Sequence, residues 1–83
     1  MLEEVEKFIN RIKNYKVVRQ PGVNEYDLLF QWHKKRISEC YSFLKYLSMR
    51  RDFLSIRNDY KEVEKLTREV EQNFLDWKKQ YVE

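Results

Sequence analysis

From Tyr26 to Arg57 the chain runs without a glycine or a proline. Over that stretch Tyr26, Phe30, Ile37, Cys40, Leu44, Leu47 and Leu54 recur at helical steps of threes and fours. The pattern predicts one long central helix over about residues 25–57, roughly 50 Å at 1.5 Å per residue. In a chain of 83 residues, such a rod leaves room only for two shorter flanking elements.

Both flanks also read as helix. Leu2, Val5, Phe8, Ile9, Ile12 and Tyr15 mark a first amphipathic helix over about 2–16, with Glu3, Glu4 and Glu6 at its start and Lys13 and Lys16 near its end, as the helix dipole prefers. The adjacent Pro21 and Gly22, the only residues of their types, signal the turn that ends it. Asn24 can cap the central helix, with Asp27 three residues on as a weaker capping box. Asn58-Asp59 reads as a tight turn, and Tyr60, Val63, Leu66, Val70, Phe74, Trp77 and Tyr81 form a single stripe on a third helix over about 60–82. Neither Asn nor Asp forbids a helix, so one continuous rod through both segments is the competing reading. The expected fold is all-α: a three-helix antiparallel bundle, or coiled-coil hairpin, forming a single domain over 1–83.

On a helical wheel the central segment is apolar on two sides. One side carries Tyr26, Leu29, Phe30, Ile37, Cys40, Tyr41, Phe43, Leu44, Leu47 and Leu54, with His33 and Arg51 projecting onto it. The other carries Leu28, Trp32, Tyr46, Met49, Phe53 and Ile56. A first helix ending near residue 16 reaches back only to about Tyr41, whereas the third covers the distal half. Tyr46, Met49, Phe53 and Ile56 would then lack a neighbour in their own chain, and such a patch would rival the few hundred Å² usual on a monomer. A symmetric homodimer through the central helix is the favoured remedy, ahead of a compact monomer with a shifted first helix and of a hetero-complex.

Composition narrows the function. The chain is 42% hydrophobic, too apolar for a disordered tail. Its longest apolar run, Leu28-Leu29-Phe30, cannot cross a bilayer, and the charged start Met1-Leu2-Glu3-Glu4 lacks a signal-peptide core, so a cytoplasmic location is expected with no membrane partner. A lone Cys40 and a lone His33 provide no disulfide, no metal framework and no nucleophile-base pair. Without a phosphate-binding glycine loop or a catalytic motif, no cofactor, no small-molecule substrate and no catalytic residue is expected, and the chain reads as a non-enzyme.

What remains is binding. The expected interface comprises Trp32, Tyr46, Met49, Phe53 and Ile56, with a protein partner beyond the second copy. The alternative is a dimeric nucleic-acid-binding regulator using Lys34, Lys35, Arg36, Arg50, Arg51 and Arg57, consistent with a net charge of +3. Solvated bundle flanks explain those cations at least as well, because their directions on the wheel diverge. Short Phe-, Tyr- and Lys-rich chains with few Ala and Gly resemble accessory or regulatory proteins of viruses and plasmids in composition, a likeness that rests on no motif.

Overall fold

A computed structural model of the chain describes residues 1–81. Three α-helices form, α1 (Glu3–Lys13), α2 (Glu25–Ser48) and α3 (Arg57–Lys79), with a 3-10 turn over Phe53–Ile56 and no strand among the described residues. The all-helical bundle is therefore as expected, but its central element is not. The last residue of the expected third helix, 82, lies outside the described residues.

The α1–α2 connection follows local chemistry. Val23 N–H donates to the Gln20 carbonyl at 3.3 Å across Pro21-Gly22, and Gly22 takes a positive φ of 81°, the combination a Pro-Gly turn requires. Asn24 then caps α2: its side-chain oxygen accepts from the Asp27 amide at 2.8 Å while its own amide donates to the Asp27 carboxylate at 3.0 Å. The first helix stops at Lys13 rather than near residue 16, and residues 15–20 run without regular structure.

The long helix does not reach Arg57. It ends at Ser48, the chain turns through residues 49–52, and α3 begins at Arg57 rather than after Asn58-Asp59. A rod of roughly 50 Å would exceed the longest extent of the whole bundle, 45 Å. No residue between 48 and 56 forbids a helix, so the break is a matter of competing contacts. Arg50 grips Asp52 through two hydrogen bonds, Nε and Nη2 each at 2.9 Å. Residues two apart point away from each other on a helix, so this fork forms only once the helix has opened. The guanidinium in turn holds the Asp52 carboxyl below the usual carboxylate range. Asp52 then starts the 3-10 turn, its carbonyl accepting from the amide and hydroxyl of Ser55 at 2.9 and 2.7 Å.

The break exchanges two side chains. Ile56, expected on an unpartnered outer face, enters the core, whereas Leu54, expected on the inner seam, is 81% exposed. Core packing thus falls to Val5, Phe8 and Ile12 of α1, Cys40, Leu44 and Leu47 of α2, Ile56, and Val63, Leu66 and Val70 of α3. Asp59, expected in the turn before the third helix, is instead buried in the first turn of α3 and accepts from the Leu2 amide at 2.8 Å, which pins the start of α1 to the start of α3.

Two devices hold the other end. Arg36 is 5% exposed and donates through Nε and Nη2 to the Ile12 carbonyl at 3.2 and 3.0 Å, with its guanidinium 4.5 Å from the centre of the Trp32 ring. That carbonyl lies in the last turn of α1, where its other donor is the Tyr15 amide at 3.3 Å, and the cation sits at the negative end of the helix dipole. Trp77 of α3 stacks on Tyr26 of α2 at 5.0 Å, with Phe74, Tyr81 and His33 around it, which closes α2 against α3 as an antiparallel hairpin.

Candidate interaction surface

The residues expected at an interface separate into distinct environments. Tyr46 and Met49 remain exposed, Met49 at 73%. Phe53 packs edge-on against Tyr60 at 5.4 Å and is half-buried. Ile56 is inside the core and cannot meet a partner. Trp32 is half-buried and held in place, its indole N–H donating to the Tyr15 carbonyl at 3.0 Å.

What sequence reasoning missed is that Met49 is joined at the same end by Leu54 and by Met1, 59% exposed. The Leu2–Asp59 hydrogen bond brings the N-terminus beside the start of α3, next to the 3-10 turn that carries Leu54. The signal was hidden because Leu54 belongs to the inner seam only while the helix is continuous.

One turn back from Met49, a groove opens between α1 and α2. It encloses about 550 Å³ and is lined by Phe8 and Phe43, Ser38 and Ser42, and Tyr46, with Glu4, Lys7, Arg11 and Glu39 on its rim. Phe8 and Phe43 stack at 4.2 Å and keep the two helices apart, while the two serines are too small to fill the gap. Charges on the rim are matched: Arg11 pairs with Glu39 at 2.9 Å, Arg50 with Glu4, and the Tyr46 hydroxyl donates to Glu4 at 3.2 Å. An apolar floor between paired charges binds by shape and burial.

The six basic residues expected to meet nucleic acid do not share a surface. Arg36 points inward to Ile12, and Arg50 is occupied by Glu4 and Asp52. Lys34 and Lys35 lie in the first half of α2, whereas Arg51 sits in the turn beyond its end and Arg57 opens α3.

No family model, curated protein or solved structure matches the chain. Its surface has to be read from its own chemistry. Among the described residues no three His, Cys, Asp or Glu side chains gather in a way that could hold a metal ion, and no helix is long and apolar enough to cross a membrane. Cys40 is fully buried, and burial pushes its thiol pKa up, away from the thiolate a nucleophile needs.

His33, which projects onto the first apolar side of the wheel, is 5% exposed among Trp32, Phe74 and Trp77. Its Nδ1 has no partner, and burial followed by the nearby Arg36 lowers its pKa from the ordinary 6.5. The folded chain therefore favours the neutral imidazole. Stability from this source is complete above about pH 6.5 and is lost as pH falls below it, because the unfolded chain then takes up the proton first. Urea unfolding is expected to show a lower midpoint at about pH 5.5 than at about pH 7.5. The difference should shrink in His33→Phe; an equal difference in that variant would assign the pH effect elsewhere.

Proposed function

We propose that this chain is a non-enzymatic helical interaction module that pairs with a second copy of itself through the α2 corner and the groove behind it. The observation that carries this reading is the pair Met49 and Leu54, at 73% and 81% exposure on two sides of one turn. A core this small cannot spare two large aliphatic side chains without reason, since burying each is worth about 1.5–3 kcal/mol.

Area favours using both features together. The corner alone is small beside the roughly 800 Å² per partner of a stable interface, and the adjoining groove with Phe43 and Tyr46 is the apolar surface a second copy would cover with it. Charge favours a second copy over an unrelated partner. The rim carries Lys7, Arg11 and Arg50 beside Glu4 and Glu39, both signs interspersed, so a two-fold axis can set each cation against a carboxylate of its twin. The outer surface of α3, with its alternating Lys, Arg and Glu, remains open in such a dimer for another macromolecule.

Sedimentation equilibrium over a wide concentration range tests the pairing. The wild-type chain should approach twice the monomer mass. Met49→Asp combined with Leu54→Asp should raise the dissociation constant at least roughly tenfold with helicity and thermal midpoint unchanged, because both side chains already lie outside the core. A wild-type chain that stays monomeric up to about 1 mM, where only the weakest complexes escape detection, refutes the reading.

A further inference from the structure

The loop between α1 and α2 has an electrostatic character that the dimer does not use. Between Glu6 and Glu25 the chain carries Lys7, Arg11, Lys13, Lys16 and Arg19 and no acidic residue. Lys7 is neutralised by Glu3 and Arg11 by Glu39, and Lys13 lies toward Glu62 and Glu69 of α3. Lys16 and Arg19 are left on the loop itself; folding brings Lys35 of α2 to Lys16 around one hollow, while Arg19 lines the adjoining one. The link is Tyr15: its carbonyl accepts from Trp32, and the Lys35 ammonium lies 5.7 Å from the centre of its ring.

These groups surround a hollow of about 380 Å³ whose lining includes Lys16, Lys35, Gln20, Gln31, Tyr15 and Trp32. Lys16 and Lys35 are its cations, two carboxamides offer both donors and acceptors, and the half-buried Tyr15 and Trp32 complete its wall with Val17, Val18 and Leu28. The backbone adds to this. From Lys16 to Gln20 no main-chain amide donates to another main-chain group, which leaves N–H donors of this irregular segment unspent beside Lys16. Glu25 is the acidic group on the far side of this loop, where it shares a separate hollow with Arg19, and Asp27 is engaged by Asn24.

We propose that this hollow binds single-stranded nucleic acid, with Lys16 and Lys35 on phosphates at its edge, Arg19 on a further phosphate at the adjoining hollow that shares Val17, Gln20 and Leu28 with it, and a base seated against Tyr15 between Gln20 and Gln31. Several observations favour a single strand. The cations lie around a concavity between the loop and the side of α2 and not along a protruding helix, so nothing here enters a duplex groove. The space suits one unstacked nucleotide, and amide side chains beside aromatic rings match the edges and faces of a free base. An acidic peptide would use the cations but neither the carboxamide pair nor the ring wall. The site is remote from the α2 corner and does not depend on dimerisation.

Fluorescence anisotropy with labelled oligothymidylate and oligouridylate of about twelve nucleotides tests this directly, at about 50 mM salt and upward. Saturable binding is expected, with a slope of log affinity on log salt of about −2, the value for three phosphates on a single strand. Lys16→Gln combined with Arg19→Gln and Lys35→Gln should weaken it at least roughly tenfold and flatten the slope. Lys61→Gln combined with Lys65→Gln and Arg68→Gln on α3 should leave it unchanged, and circular dichroism should show both triple variants folded. Gln31→Leu should weaken binding of the oligonucleotides without altering the salt slope. The proposal is overturned by absent binding at low salt, by equal loss in both triple variants, or by tighter binding to polyglutamate or to phosphatidylserine vesicles than to either oligonucleotide.

Discussion

Trp77→Ala is expected to lower the free energy of unfolding by about 3–5 kcal/mol, the range for deleting a large aromatic from a packed site. A chain of this size has roughly 4–12 kcal/mol in all, so the variant should be close to unfolded at room temperature. The size of the effect follows from position. Trp77 touches the rings of Tyr26, His33, Phe74 and Tyr81, and it is the side chain through which the end of α3 grips the start of α2. Its indole nitrogen is buried without a hydrogen-bond partner, which already costs stability. Trp77→Phe keeps an aromatic ring and removes that unpaired donor, so its loss should stay below about 2 kcal/mol. Urea denaturation by circular dichroism measures both. If Phe proves as damaging as Ala, ring packing is not what closes this end of the hairpin.

Arg36→Ala should cost about 3 kcal/mol. Charge-assisted hydrogen bonds are worth roughly 1.5–3 kcal/mol, and the Ile12 carbonyl would keep only the bond from the Tyr15 amide at 3.3 Å. Part of that loss is offset because a buried guanidinium, whose pKa burial already lowers, no longer has to be desolvated. Arg36→Met retains most of the stem that lies against Trp32 and should cost about half as much. Since Arg36 joins α2 to the last turn of α1, amide exchange in α1 should accelerate before exchange in α2 and α3. An Arg36→Ala chain within about 0.5 kcal/mol of the wild type would mean that α1 is held by its apolar face alone.

The same residue illustrates how misleading a charge can be when read along the chain. Arg36 follows Lys34 and Lys35, and in sequence the three look like one basic cluster. A step of roughly 100° per residue sends them to three directions, and only the end of α1 decides which of them is captured. Arg36 lies where the Ile12 carbonyl arrives, Lys35 reaches Tyr15, and Lys34 stays in solvent. Lys16 is far from Lys35 in sequence and comes near it only through the fold of the Pro21-Gly22 loop.

Local patterns determined a great deal of this molecule. Apolar spacing marked every helix, Pro21-Gly22 the first turn, and Asn24 with Asp27 the start of α2, because each depends on atoms within a few residues of one another. Tertiary structure alone decided where α2 ends. Helix propensity through residues 48–56 is permissive in either direction, so the outcome rests on a difference between two sets of long-range contacts. Opening the helix lets Arg50 hold Asp52 and Glu4, brings Ile56 into the core and sets α3 back along α2, at the cost of turning Leu54 outward. The surplus of apolar surface that the sequence implies on the second half of the central helix is thereby halved and moved to the corner of Met49 and Leu54, because a seam read from spacing holds only as far as its helix continues.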